Sequence, residues 1–221
     1  MRTLSAKFRA LTLLPFSLPL AACSTTQPIP YAGVSASAQM QPTQGDAADR
    51  MPFEYKTTAK WDDYTAVIVD PVEIYQGRDA QFEGISEQDK AYLARTMQTR
   101  FAEKLAMRFK RTSMPGVGTL RIKLTLTGAE SNTAVLATLS RFDLMGGPYN
   151  AVQELRGKQG ALTGSISYAV EVYNASNNTL LAAYVAKQYP SAWNLGATIG
   201  SMSASVAGIL SGAEQLAAYL Q

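Results

Sequence analysis

The sequence predicts an α+β domain in the order β-α-β-β-β-α, and three stretches indicate it. Residues 119–127 alternate between apolar and polar side chains, as a strand with one buried face does. Residues 93–109 repeat apolar side chains every four positions, which is typical of an amphipathic helix. Residues 163–173 and 179–189 are β-rich runs separated by an Asn-rich turn. We therefore expect a two-layer sandwich, with two helices on one face of a mostly antiparallel four-stranded sheet.

The first strand is predicted over residues 65–75, which are mainly β-branched and aromatic. Pro71 lies inside this run and has no N–H to donate, so it marks an edge position or a bulge. Asp70 and Glu73 flank the proline and are the most suggestive pair of carboxylates in the chain. We interpret them as a polar turn or an exposed strand end, because no other chemical group converges on them.

The first helix is predicted to begin after Ser86, whose side chain can cap it, with Glu87 and Asp89 in the first turn. Its apolar stripe consists of Leu93, Met97, Phe101, Leu105 and Phe109. The basic residues that follow suit the negative end of a helix, so they require no binding patch.

The next strand should bury one face and leave the other in water. The buried face is Leu120, Ile122, Leu124 and Leu126, and the solvated face is Arg121, Lys123, Thr125 and Thr127. Residues 174–178 are expected to turn the chain between the two strands of a hairpin. Pro190 ends the hairpin, and a final helix should follow.

Residues 128–162 show no regular pattern but contain apolar side chains. A long irregular stretch is often functional, and Leu136, Leu139 and Phe142 are predicted as possible partner-binding residues. The alternatives are that these side chains meet the membrane, or that the stretch folds over the sheet as a short helix.

Small residues recur every four positions in the final helix. They are Gly196, Gly200, Ala204, Gly208 and Gly212. This spacing lets another element approach closely, and the four glycines are predicted as possible partner-binding residues. Three alternatives stay open: packing against the sheet or the first helix, association with a partner or a second copy, and insertion into a membrane.

The start of the chain is typical of a bacterial lipoprotein signal. Three basic residues precede an apolar run over residues 11–20, which is too short to span a bilayer. Leu20-Ala21-Ala22-Cys23 then predicts removal of residues 1–22 and lipidation of Cys23. The alternative is an ordinary secretory signal that leaves Cys23 as a free thiol. Ser24, in place of Asp, favours the periplasmic face of the outer membrane of a Gram-negative bacterium.

Residues 23–52 are predicted to be the lipidated cysteine and a disordered linker, because large apolar residues are almost missing from them. Such a linker would reach about 30 Å. Residues 53–221 are predicted to form a single α+β domain that ends in the glycine-rich helix.

Composition excludes several functions. The chain has no histidine, so it cannot use a Ser-His-Asp triad or histidine-liganded zinc. All three basic residues of the signal are lost with it, which leaves 17 basic and 17 acidic residues and no electrostatic case for nucleic acid. We predict no cofactor, no metal and no catalytic residue.

Several segments of the sequence resemble a family of bacterial lipoproteins known as domain of unknown function 3313. They are Tyr64 with residues 67–69, Asp70-Pro71-Val72-Glu73, Gly84-Ile85-Ser86, residues 115–121 and the hairpin over residues 174–182. The resemblance covers roughly residues 60–190 and implies a secreted, lipid-anchored α+β domain without an assigned activity. The uncharged stretch over residues 188–213 departs from the charged helix that the resemblance implies.

We therefore expect a non-enzymatic lipoprotein that binds an envelope protein or itself, as an accessory or assembly factor. The alternatives are a cell-wall glycan hydrolase using Asp70 and Glu73, and a carrier of lipid or another small ligand.

Overall fold

A computed structural model of the protein describes residues 27–132, 164–190 and 200–221. In these ranges the chain forms one eight-stranded sheet and two long helices. The strands are β1 (Gln41–Pro42), β2 (Phe53–Lys56), β3 (Ala66–Val69), β4 (Glu73–Ile74), β5 (Lys110–Arg111), β6 (Thr119–Glu130), β7 (Ser165–Asn174) and β8 (Thr179–Gln188). The helices are α1 (Glu87–Leu105) and α2 (Ser203–Tyr219), with short 3-10 helices at Gly45–Asp49 and Trp61–Asp63.

The sheet is mixed, with the strand order β1-β2-β8-β7-β6-β3-β5, and β4 pairs with β6 beyond the end of β3. Strands β3 and β4 run parallel to β6, and β5 runs parallel to β3, whereas the remaining pairs are antiparallel. The α+β class and the two helices are confirmed. The prediction of a four-stranded, mostly antiparallel sheet is wrong, because it omits β1, β2 and the two-residue strand β5 and joins β3 and β4 into one strand.

Pro71 divides the predicted first strand into β3 and β4. The backbone N–H groups of Asp70 and Tyr75 donate to β6 on either side of the break, each over 2.9 Å. Within the break, the Val72 N–H donates instead to Gln98 Oε1 on α1, over 2.7 Å. The proline therefore ends one pairing with β6 and turns the backbone toward the helix.

The three long strands give the sheet two distinct ends. The upper end is formed by Glu130 of β6, Ser165 of β7 and Gln188 of β8. The lower end is formed by Thr119, Asn174 and Thr179 of the same strands. Both helices begin at the upper end and run toward the lower one.

The main core lies between the sheet and the two helices. All the apolar side chains predicted for the stripe of α1 and for one face of β6 are buried there, and Ser86 Oγ accepts from the Asp89 N–H as the predicted cap. Phe101 packs edge-on against Tyr168 of β7, with the ring centroids 5.6 Å apart. The predicted hairpin is confirmed as β7 and β8, with Asn178 at φ 58° in the turn.

The opposite face of the sheet is covered by residues 27–40, which we call the strap. Tyr31, Val34, Ala36 and Met40 of the strap are buried against β7, β8 and Tyr75. These residues belong to the predicted disordered linker, so that prediction is wrong for residues 27–52. The strap also explains why Thr125 and Thr127, predicted to be solvated, are only 7% and 0% exposed.

Candidate functional site

The strap is fixed at the upper end of the sheet by Gln81. This residue lies beside Gly128 of β6, and its backbone N–H donates to Thr127 over 2.9 Å. Its side-chain amide donates to the Gln27 carbonyl over 2.6 Å, and its amide oxygen accepts from the Tyr31 hydroxyl over 3.2 Å. The first described residue of the chain is thereby attached to the sheet.

Further polar contacts hold the middle of the strap. The Gly33 N–H donates to the hydroxyl of Tyr75 over 2.9 Å, and that hydroxyl donates to Asp79 over 2.7 Å. The second oxygen of Asp79 accepts from the Ala32 N–H over 3.0 Å. The hydrogen bond from Tyr75 is the largest cause that lowers the pKa of Asp79, so this carboxylate is stabilised in its charged form.

Glu171 is a carboxylate buried under the strap. One of its oxygens accepts from the Ala36 N–H and from the Tyr173 hydroxyl, each over 2.8 Å. The pKa of Tyr173 is raised, first by burial and then by its hydrogen bond to Glu171. Glu171 therefore has a structural role, because its contacts attach the strap to β7.

The lower end carries the most exposed large apolar side chains of the described residues. Val117 is 97% exposed, Met107 79% and Met114 74%. Lys110 and Thr119 pair with opposite sides of Ala66, which places their Cα atoms about 10 Å apart. The three side chains lie within five residues of these positions along the chain, and together we call them the lower-end patch.

The turn that presents Val117 is held rigidly by the glycine after it. Gly118 has φ 69°, a conformation that glycine adopts without strain. Its carbonyl accepts from the N–H groups of Thr65 and Ala66, over 2.9 and 3.2 Å. A Cβ at this position would also lie 3.2 Å from the Asp63 carbonyl oxygen. The backbone conformation of this turn therefore keeps Val117 exposed.

Basic side chains surround the lower-end patch. Lys104 pairs with Glu214 over 3.2 Å, and Arg108 pairs with Asp62 over 3.1 Å. Arg108 also donates to the Leu220 carbonyl, so it joins the C-terminal ends of both helices. Lys110 and Arg111, the two exposed residues of edge strand β5, form no ion pair with another described residue.

A cleft of about 300 Å³ opens beside the patch, between the ends of α1 and α2. Its walls include Met107, Phe109 and Ala217 together with the cations Lys104 and Arg108. The arrangement offers an apolar side chain of a partner a place to insert beside positive charge. Such combinations of methionine, aromatic and arginine side chains are enriched at protein interfaces.

The sequence alone did not single out this surface. Met107 lies near the end of the predicted helix but off its apolar stripe, and Met114 and Val117 occupy a turn rich in glycine and proline. The signal available in the sequence was the presence of apolar residues in a turn, where few neighbours can bury them. Whether such residues are exposed depends on where the strands on both sides of the turn lie.

Several predicted site residues lie outside the described residues. These are Cys23, Leu136, Leu139, Phe142 and Gly196. Gly200 lies just before α2 with φ 98°, and nothing would contact a Cβ there.

Gly208 and Gly212 face the chain's own sheet. A Cβ on Gly208 would lie 2.8 Å from Ile166 and 3.0 Å from the Gln188 carbonyl oxygen, and one on Gly212 would overlap the Tyr168 hydroxyl. In this fold both glycines are used for packing within the chain, so a partner could reach them only if α2 left the sheet.

The two carboxylates considered for hydrolysis lie on either side of the Pro71 break, between β3 and β4 and on β4. Asp70 accepts a hydrogen bond from Arg121 Nε over 2.8 Å, and its side chain is 17% exposed. Glu73 lies on β4 and is exposed. Asp70 thus joins the end of β3 to β6 through its ion pair with Arg121.

Within the described ranges, no group of three or more metal-binding side chains is placed to hold a metal ion. Within the same ranges, neither long helix is apolar enough over a sufficient length to cross a bilayer.

Comparison with known proteins places the sequence in a family. The model of the family "Protein of unknown function (DUF3313)" matches residues 30–216. Among solved structures, a PelC variant dodecamer from Paraburkholderia phytofirmans is similar, with a TM-score of 0.36 and 9% sequence identity over 72% of this chain and 89% of that one. No curated protein matches the sequence. Because the family match extends over most of the chain, the protein belongs to the DUF3313 family of proteins of unknown function.

Proposed function

We propose that this protein is a lipid-anchored protein of the bacterial cell envelope that binds another envelope protein and catalyses no reaction itself. The anchor is the acylated Cys23, at the periplasmic face of the outer membrane. The partner binds at the lower-end patch. An accessory or assembly role follows, because the anchor localises the protein and the patch supplies the contact.

The exposure of Met107, Met114 and Val117 at one end of the fold is the observation that supports this proposal most. Single exposed apolar residues are common on protein surfaces, whereas a group of them marks an interaction site. The group lies beside a cleft and next to the exposed cations of β5, so it has the apolar centre and charged rim of an interface.

Site-specific photocrosslinking in living cells tests the proposal. A photoreactive residue at Val117 is expected to give a discrete adduct, which mass spectrometry then identifies. Arg95, exposed on α1, is the control position and is expected to give none. Equal labelling at both positions, or none at Val117, would contradict the proposal; an adduct with twice the protein's own mass would identify the partner as a second copy.

A pair of variants tests whether the apolar contact itself matters. In the protein that carries the photoreactive residue at position 117, Met107→Glu is expected to reduce the amount of adduct about tenfold. This reduction is equivalent to about 1.4 kcal/mol of binding free energy. The matched control is Tyr92→Glu, because Tyr92 is 46% exposed and lies on α1 away from the lower end. If both variants reduce the adduct equally, the loss reflects charge or stability and the patch is not the binding site.

A further inference from the structure

We infer that the upper end of the sheet is the surface that faces the lipid bilayer, and that the long strands point away from it. This inference rests on the proposed anchor at Cys23. It adds which part of the fold meets the lipid headgroups and therefore which part meets other proteins.

The length of chain between the anchor and the fold is the first reason. Gln27 is bonded to Gln81, which lies beside Gly128 near the end of β6. Only three residues lie between Cys23 and Gln27, and the four residue-to-residue steps span at most about 14 Å when fully extended. The upper end thus cannot lie farther than that from the acylated cysteine.

The firmness of the attachment is the second reason. Tyr31 is 1% exposed and contacts Tyr75 edge-on, with the ring centroids 5.5 Å apart. Val34 and Met40 are also buried against the sheet. Because peeling the strap away would expose these side chains, the tether cannot lengthen at low cost.

The dimensions of the sheet decide what this orientation means. Strand β6 has 12 residues, which corresponds to about 40 Å along its axis. With the upper end at the headgroups, Val117 at the other end of this strand stands about that far from the membrane. The lower-end patch would then be presented to proteins in the periplasm.

Fluorescence quenching by lipid headgroups tests the orientation. The acylated, full-length mature protein is reconstituted in phospholipid vesicles that carry a nitroxide on the headgroup. Since Cys23 is the only cysteine and its thiol is acylated, one introduced cysteine is the only site for a fluorophore. The variants are Ile29→Cys at the upper end, Val117→Cys at the lower end and Arg95→Cys on the helix face.

The label at Ile29 is expected to lose most of its fluorescence, while the labels at Val117 and Arg95 keep theirs. Equal quenching at Ile29 and Val117 would show that the strands lie flat on the bilayer and would overturn the inference, as would strong quenching at Arg95. If the protein does not float with the vesicles, the proposed anchor itself is wrong, and the orientation falls with it.

A longer tether provides the control. Inserting 20 Gly and Ser residues after Thr26 extends the reach to about 25–30 Å. The quenching at Ile29 should then fall toward the value at Val117. Undiminished quenching would contradict the short tether as the cause of the orientation.

Discussion

Gly212 lets helix α2 lie directly on the ring of Tyr168 in strand β7. The Tyr168 hydroxyl occupies the space that any larger residue at this position would need. Four residues earlier, Gly208 makes an equally close approach to Ile166 and Gln188. At Gly208 and Gly212 the small-residue spacing thus reflects the fit of a helix on its own sheet, the first of the three alternatives that the pattern left open.

Gly212→Ala should therefore destabilise the protein although alanine favours helix formation. Forcing a methyl group into a filled core costs about 1–3 kcal/mol, and the gain in helix propensity returns at most about 1 kcal/mol. We expect the Tm in a calorimetric or circular-dichroism melt to fall by about 2–8 °C.

The matched control is Ser211→Ala, because Ser211 is the neighbouring, exposed residue of the same helix. This variant is expected to keep or slightly raise the Tm. If Gly212→Ala were as stable as Ser211→Ala, α2 would not be packed on Tyr168 as described.

Residues with a strong local signal were predicted correctly. Ser86 caps α1, and Pro71 interrupts the pairing with β6, because both effects depend on the residue's own chemistry. Thr127 was placed in water, yet it is fully buried. The alternation in β6 shows that its two faces differ. A face made of threonines can be either covered or exposed to solvent, and here the strap, which is distant in sequence, covers it.

The strap is the element that most changes the expected architecture. Its sequence is rich in small and polar residues, so composition predicts disorder. Its few larger side chains nevertheless match a sheet face made of Ala169, Ala183 and Val185, which leaves room for a covering segment. The small outward residues of β7 and β8 were the available signal, because a solvated face usually carries longer polar side chains.

Val34→Asp is expected to detach the strap. Val34 is 4% exposed, so the change removes about 1.5–3 kcal/mol of apolar burial and adds the cost of placing a charge there. The free energy of unfolding in urea should fall by about 2–4 kcal/mol. Chymotrypsin should also begin to cleave after Tyr31, which is buried in the native protein.

Ala38→Asp introduces the same charge at an exposed position of the strap and provides the control. It should leave both the unfolding curve and the digestion pattern unchanged. Similar effects of the two variants would contradict the described packing of the strap, because the burial of Val34 is what distinguishes them.

The shortest strands are elements that the sequence alone could not predict as separate strands. Strands β4 and β5 have two residues each, too few for a period of two to be recognised. Their pairing depends on α1 returning the chain to the side of β3. The longer strands β6, β7 and β8 provide enough repeats, and their positions were predicted to within a few residues.

For the whole molecule, the arrangement of the two ends suggests a division of roles. The strap fastens the start of the described chain to the upper end, and the exposed apolar side chains of the lower-end patch lie at the opposite one. The candidate partner residues chosen from sequence, such as Leu136 and Phe142, lie outside the described residues and stay predictions. The lower-end patch emerged only from the fold, since no sequence pattern marks Met107, Met114 and Val117 as exposed.

The chemical state of Cys23 is the premise on which the membrane attachment and the orientation both depend. The most direct test is the mass of the protein extracted from the envelope of its native cells, followed by sequencing of its N-terminal peptide. We expect the chain to begin at Cys23, with acyl groups on its sulfur and its amino nitrogen and no reaction with a maleimide. An N-terminus at another residue, or a Cys23 thiol that reacts with maleimide after unfolding, would contradict the account.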